Sequence, residues 1–490
     1  MFSNSTLAVA AVDSTISGNR AGDGGIAAAG GNGGNGGSGG FVVSGGTNGG
    51  TGGATFGGFG GSGGAGGGAS GIKTVDRSTI SDNAAGDGGD GADGGNGGSG
   101  GAPFGTGAAG SGGPTFGGFG SPGGSGGGLL APTGSSVTNT TITRNSAGQG
   151  GNGGKGGTGP GASFGGFGGA GGSGGGVRSV TNVVHATISA NRAGKGGAAG
   201  GAGTGTPSFA GNPGAAGTGG GASAGTLKNT IVANNTPANC ATVTNGGNNL
   251  SFPDISCVGL NADPKLGPLA DNGGPTKTRA LGAGSAALDK VPATGANCTA
   301  TDQRSVTRPR GTACDIGAYE VAPPVVTTGV ASKRKARSAT VAGTVNPSSR
   351  ATTVQFDFGL TAAYGDTTPT QTVAGGITDV AVSANLTGLL PGRTYHYRLA
   401  ATNGDGSAVG ADATFRTLFE CVVPRLKGKQ LAAAKKLLRR AHCRLGKVTR
   451  KQVLRGKTGR VLSQKPKAGT RKPAGFKVRV VLSKLVVKKQ

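Results

Sequence analysis

In the stretch VTNVVHATISAN, Val180, Val184, Ala186, Ile188 and Ala190 fall on one parity, the period of a β-strand with one face buried. Related phrases recur along the chain. STISGN at 14, STISDN at 78, TTITRN at 140, ATISAN at 186 and NTIVAN at 229 align without gaps. Threonine stands at 15, 79, 141, 187 and 230, isoleucine at 16, 80, 142, 188 and 231, and asparagine at 19, 83, 145, 191 and 234. A β-branched residue in every copy stacks well on its counterpart, and asparagine tolerates a left-handed corner. The pattern predicts one solenoid rung per copy: strand, asparagine corner, next strand, with the isoleucines in one internal column.

Between these phrases the apolar pattern dissolves. Successive isoleucines lie 64, 62, 46 and 43 residues apart, and 84 of the 112 glycines precede residue 231. A bare coil needs only about twenty residues. Each tract therefore reads as an insertion looped out from one corner, several returning through a triple glycine. Ordering so much glycine costs unusual backbone entropy, so flexible loops are expected. The alternative is an extended helix of three residues per turn laid beside its siblings. TFGGFGG at 55, TFGGFGS at 115 and SFGGFGG at 163 set two phenylalanines three apart, with SFAGN at 208 as a decayed copy. We expect these rings to tuck the tracts against the solenoid wall; rings projecting into solvent would favour adhesion. GDGGDGADGG places Asp87, Asp90 and Asp93 at period three but lacks the nonapeptide register of calcium-binding glycine repeats, so no metal is expected.

The formal charge of +27 is regional: residues 418–490 carry 23 basic side chains against one acidic, a net +22. Any polyanionic partner belongs to that module. Cys240, Cys257, Cys298, Cys314, Cys421 and Cys443 read most simply as three neighbouring pairs among fifteen possible connectivities, and favour an oxidising, extracellular setting. The start has no basic region and an apolar run of only six, Leu7 to Val12, and opens inside a repeat, which we read as a chain whose signal peptide is missing. No stretch approaches the roughly 18 apolar residues of a membrane helix.

On its strand and asparagine phrases the chain resembles the right-handed parallel β-helix repeat family of secreted bacterial proteins. Some members of that family are polysaccharide lyases or hydrolases, which work through clustered carboxylates. Asp76 and Asp82 flank one rung here, but other copies have Thr138 or Val184 and Arg144 or Ala190 in those places, and His185 is the region's one histidine. Further on, DPKLGPLADNGGPT, GSAALD, TDQR, RPRG and CDIGAYE occur in an order that resembles the choice-of-anchor Q module, which ends many β-helix surface proteins. A solenoid's last coil exposes apolar surface and strand edge, and this segment is expected to cover it. Asp302, Arg304, Arg310, Asp315 and Glu320 read as an ion-pair network fixing that cover beside a Cys298 to Cys314 bridge, in preference to an active site.

Pro323 and Pro324 mark a linker, after which strands alternate and Tyr395, Tyr397, Leu399 and Ala401 share one face. LLPGRTY is similar to the tyrosine-corner region of fibronectin type III domains, which implies a spacer sandwich. Leu431, Ala434, Leu438 and Ala441 then mark one face of a helix. VPRLKGKQLAAAKKLL, a GKV turn and VLSQKPKAGT follow in the order of a PASTA domain, which this region resembles. The resemblance implies an extracellular module, some members of which bind peptidoglycan fragments. Lys435, Lys436, Arg439 and Arg440 on the helix, with Arg471, Lys472, Lys477 and Arg479 on later strands, are the candidates for holding wall polyanions or muropeptide carboxylates. The other readings are a solvated charge shell and non-specific nucleic-acid binding. Phe419 and Phe476 alone make no stacking platform for the latter.

The sequence thus predicts a mainly β chain. A right-handed parallel β-solenoid with Gly-rich insertions (1–244) is followed by a closing segment (245–322), a β-sandwich (323–417) and a small α+β PASTA-like domain (418–490). It points to a non-catalytic, secreted, cell-wall-associated surface protein with peptidoglycan or an anionic wall polymer as partner. No cofactor and no specific nucleic acid are expected. A carbohydrate-active β-helix enzyme and an adhesin using its Phe-Gly loops are the alternatives.

Overall fold

The structure, a computed structural model, describes residues 9–35, 47–294, 297–454 and 457–486, so Leu7 and Ala8 of the amino-terminal apolar run lie outside it. The chain divides into two compact units, Met1–Ala322 and Pro323–Gln490.

The first unit is a parallel β-solenoid. Ala10–Val12, Thr74–Asp76, Ser136–Thr138 and Asn182–Val184 pair in register into one sheet that continues through Ala222–Lys228. Thr15–Ser17, Thr79–Ser81, Thr141–Thr143, Thr187–Ser189 and Ile231–Ala233 form a second. Ile16, Ile80, Ile142 and Ile188 stand in one column, the last three fully buried. The fifth copy departs from the alignment by one residue, because Ile188 pairs with Val232. Ile231 instead joins a separate core with Leu250, Ile316 and Tyr319.

The asparagines explain that shift and correct the assignment of the corner. The left-handed residue is the one before each asparagine: Gly18, Asp82, Arg144, Ala190 and Asn234 have φ between 55° and 69°. Asn19, Asn83, Asn145, Asn191 and Asn235 form an amide ladder. From Asn83 onward each Oδ1 accepts both the backbone N–H and an Nδ2–H of the asparagine one coil earlier, at 2.8–3.0 Å. Only a carboxamide offers the acceptor and donors together. Asn145→Ala would leave two buried donors of Asn83 without a partner, and at roughly 1–3 kcal/mol each we expect urea titration to show a loss of about 3 kcal/mol.

The glycine tracts are not loose loops. They run out from the asparagine corner and back to the triple glycine in two hydrogen-bonded layers. In the outgoing layer Gly24, Ala27, Gly30 and Gly33 donate to the carbonyls of Asp87, Asp90, Asp93 and Asn96 of the next coil. In the returning layer Gly57, Gly60, Gly63 and Gly66 donate to Phe116, Phe119, Pro122 and Ser125. Bonds such as Gly64 N–H to Gly22 O and Gly86 N–H to Gly64 O, both 2.8 Å, join the layers. One residue in three faces outward, and the others meet a neighbouring backbone. The regular inter-tract bonds offset the ordering entropy on which the expectation of flexible loops rested.

The outward positions of the two layers differ. In the outgoing layer Asp23, Asp87, Asp90 and Asp93 each accept, through Oδ1, the N–H of the equivalent residue one coil on, at 2.6–2.8 Å. The period-three aspartates are thus engaged by backbone donors. In the returning layer Phe56, Phe116, Phe164 and Phe209 form one aromatic ridge with ring centroids 4.7–5.5 Å apart, and Phe59, Phe119 and Phe167 a second at 5.1 Å. These rings are not tucked against the solenoid: Phe56, Phe59 and Phe209 are more than half exposed.

The closing segment runs along a flank of the solenoid and is not confined to its last coil. Thr79 Oγ1 donates to Lys277 O, Thr141 Oγ1 to Gln303 Oε1, Arg279 Nη1 to Ser189 Oγ, and Ala318 N–H to Thr187 Oγ1. The threonine column gives that flank hydroxyls in need of partners, which is why a polar segment covers it. Cys240–Cys257 and Cys298–Cys314 close loops within this unit.

In the second unit, Val325–Thr328, Ala339–Asn346 and Val380–Leu386 form one sheet of a sandwich, and Thr352–Gly359 and Thr394–Asn403 centre the other. Val341, Phe356, Tyr397 and Leu399 fill the core. The Tyr395 hydroxyl accepts the Leu390 N–H at 2.9 Å. A helix, Leu431–Arg440, then packs Ala434 and Leu438 onto a three-stranded sheet in the order Arg444–Val453, Lys477–Leu485, Val461–Lys465. Cys421–Cys443 ties the chain before the helix to the turn after it.

Candidate functional site

Alternation along Lys477–Leu485 places Val478, Val480 and Leu482 in the core beneath the helix, and Lys477 and Arg479 on the opposite face. A cleft of about 630 Å³ opens there. Lys447 and Thr449 come from one edge strand, Lys465 and Lys467 from the other edge and its turn, and Arg479 from the strand between. The four cations are exposed and form no salt bridge among the described residues. The reason is compositional. Glu420 is the one carboxylate in 418–490, and Arg337 and Arg471 both hold it at 3.0 Å. Arg337 first, and Arg471 after it, keep the Glu420 carboxyl below the usual carboxylate range. Uncompensated ammonium and guanidinium groups around a cleft attract a polyanion, and the Arg479 fork suits carboxylate or phosphate oxygens in pairs.

Residues 422–484 match the PASTA domain family. The match spans the helix and every strand that lines the cleft, so the site lies within the PASTA domain. No curated protein matches the chain. Among solved structures, the short form of the sensor domain of the anti-sigma factor RsgI4 from Pseudobacteroides cellulosolvens aligns at 22% identity over 20% of this chain and 98% of that one, with a TM-score of 0.17. The solution structure of the same domain aligns at 21% identity over 19% and 74%, with a TM-score of 0.16. Likeness that slight carries no argument.

Of the cations singled out from the sequence of the PASTA domain, Arg479 lines the cleft and Lys477 lies two residues away on the same face. Lys435, Lys436, Arg439 and Arg440 are exposed on the helix, across the sheet from the cleft. Arg439 and Arg440 stand in its last turn, where they offset the helix dipole. Arg471 is taken by Glu420, and Lys472 lies 5.6 Å over the Phe476 ring. Lys447, Lys465 and Lys467 were missed because strand order alone brings them together.

In the charged cluster of the closing segment Asp302, Arg304, Asp315 and Glu320 are buried, and Arg310 is partly exposed. Arg304 and Asp302, both without solvent contact, pair at 2.8 Å, and the Arg304 guanidinium lies 3.6 Å over Tyr319. Glu320 accepts from Arg308 Nη1 at 3.0 Å and from the N–H groups of Asp315 and Arg310 at 2.9 Å. Arg308 also donates to the carbonyls of Asp315 and Gly317, both at 2.7 Å. Arg308, which the sequence reading passed over, is therefore a central cation of the network. On the solenoid Asp76 pairs with Arg77 at 2.8 Å and Asp82 with Arg144 at 2.6 Å. His185 is buried, its Nε2 3.0 Å from Asn229 Nδ2. Among the described residues no group of three or more His, Cys, Asp or Glu is placed to hold a metal ion.

Proposed function

We propose that the chain is a non-catalytic protein of the bacterial cell surface, docked to the wall by its PASTA domain. The anionic partner is a wall polymer or the stem carboxylates of peptidoglycan. The observation that carries this reading is the cleft, where Lys447, Lys465, Lys467 and Arg479 stand unpaired in a module whose relatives commonly bind peptidoglycan. Three disulfides and no free cysteine fit an oxidising exterior. No helix among the described residues is long and apolar enough to cross a membrane. The resemblance of 245–322 to choice-of-anchor Q modules and of 323–417 to fibronectin type III domains supports display at a surface. A second reading, adhesion, draws on the exposed phenylalanine ridges.

Cosedimentation of the full chain with purified sacculi that retain their wall polymers tests the first reading. Binding is expected at low ionic strength and is expected to fade as salt shortens the Debye length to about 3 Å near 1 M. Reversing two cleft charges, Lys465→Glu with Arg479→Glu, should weaken it at least about tenfold, while Lys435→Glu with Arg439→Glu on the helix should change it less than about twofold. Failure to sediment at low salt, with firm retention on DNA, overturns the reading.

A further inference from the structure

The returning glycine layer presents a surface that wall docking does not use. Its two phenylalanine ridges are three residues apart in each tract, about 9 Å at a rise near 3.1 Å per residue. Between them runs a groove of about 430 Å³ floored by Gly57, Gly117 and Gly165. We infer that this face is a homotypic interface, on which a second copy of the chain docks about a two-fold axis with the ridge of each lying along the groove of the other.

Three observations select that occupant. The first is area. Five of the rings are 45–65% exposed. At about 200 Å² per ring this leaves roughly 550 Å² of phenyl surface. That is in the upper part of the range for the largest apolar patch on an ordinary monomer, about 300–600 Å², a patch that is itself often functional. With the small residues between the ridges it approaches the roughly 800 Å² that each partner buries in a stable pair. The second is charge. Residues 47–70, 107–131, 161–177 and 206–224 contain no charged side chain, whereas the outgoing layer carries Asp23, Asp87, Asp90, Asp93, Lys155 and Lys195. A chain of net charge +27 can meet itself on this face without repulsion across the contact, and the face has no cation to meet lipid headgroups.

The third is ring orientation. Phe56 on Phe116, Phe116 on Phe164 and Phe119 on Phe167 are stacked with interplanar angles of 5–9°. Within the ridges the ring faces are thus occupied by one another and edges point outward; Phe59 is tilted by 36° on Phe119, and the end rings Phe56, Phe59, Phe167 and Phe209 have a ring neighbour on one face only. A sugar ring needs a free aromatic face, so a polysaccharide running along the ridges finds faces to stack on at their ends alone, whereas the row of edges between them is continuous. A second copy brings rings at the same rung spacing, and a symmetric pair repeats each edge contact twice.

Sedimentation velocity of the full chain from about 1 to 100 μM is expected to show a monomer–dimer equilibrium. Phe59→Ser, Phe119→Ser and Phe167→Ser together should weaken it at least about 30-fold, as removal of central aromatic anchors does. These side chains point away from the glycine lattice, so the circular dichroism spectrum and melting temperature should be kept. Phe167→Lys alone, which places a charge in the contact, should also dissociate the pair and serves if the triple variant does not fold. A wild-type chain that stays monomeric over the whole range overturns the inference, as does a dimer unaffected by Phe167→Lys. Monomer that binds neutral phosphatidylcholine vesicles through the same rings assigns the face to lipid and also overturns it. None of these outcomes depends on whether the PASTA domain binds wall.

Discussion

Alanine at Gly151 is expected to destabilise the first unit by about 4 kcal/mol or more, whereas Gln149→Ala, two residues away, should change its stability by less than about 0.5 kcal/mol. A Cβ on Gly151 would lie 2.0 Å from the Gly89 carbonyl oxygen and 2.5 Å from its carbon. Gly89 cannot retreat. Its N–H is bonded to Gly61 O at 2.8 Å, and a Cβ at Gly89 itself would stand 2.0 Å from Gly25 O. The clash is therefore with a lattice and not with one strand, so relief at one coil creates it at the next. Gln149 sits at the outward third position and is exposed. Hydrogen exchange read over residues 146–160, with urea titration of the full chain, separates the two results: fast exchange across the tract for Gly151→Ala, unchanged protection for Gln149→Ala. Equal tolerance at both positions would show that the tracts do not pack as a bundle.

That contrast marks what the sequence could and could not disclose. Period three was legible in GGNGGNGGSGG, yet the bonds that order a tract join its two layers, as Gly166 N–H to Gly154 O does across 12 residues, or join it to another coil, so the chain's local pattern is the same for a loop and for a bundle. The solenoid was legible because Thr-Ile-x-x-Asn repeats its own register four times over. It misled at the fifth copy, where Ile231 and Val232 are both β-branched and Asn234 and Asn235 both asparagine; the buried amide ladder, a contact between coils, settles on Val232 and Asn235. The phenylalanine pairs could be counted, but which side of the layer they occupy follows from the carbonyls they lend to the preceding coil. In the basic domain the excess of cations was plain from composition. Which of them share a cleft depends on strand order, and which are neutralised depends on Glu420, a residue outside the matched PASTA segment.

The buried charges of the closing segment set the other large effect. Arg308 and Glu320 are both essentially free of solvent and pair at 3.0 Å. Glu320→Ala is expected to cost about 3–5 kcal/mol, because it strands a buried guanidinium, and Arg308→Met less, because the burial-raised Glu320 carboxyl then takes a proton. The double variant should lose clearly less than the sum, since it removes both charges and the residues are in contact. Acid adds a signature. Burial, and then the Arg308 charge, push His185 down to about 3, so the folded chain refuses a proton that the unfolded chain accepts, and stability falls as pH drops from about 6.5 toward 3. Burial pushes the Glu320 carboxyl up to about 7 against the pull of Arg308, so ionising it inside the fold lowers stability as pH rises from about 4.5 to 7. Between pH 4.5 and 6.5 the two trends oppose, and the wild-type profile should be nearly flat. His185→Gln should expose the opposite trend, a fall in stability with rising pH of about 1.4 kcal/mol per unit for each carboxyl that titrates, Glu320 and the likewise burial-raised Asp315. Glu320→Gln, measured by the same urea titrations, should tilt the profile the other way. Two parallel profiles would mean that neither group is held as the buried network requires.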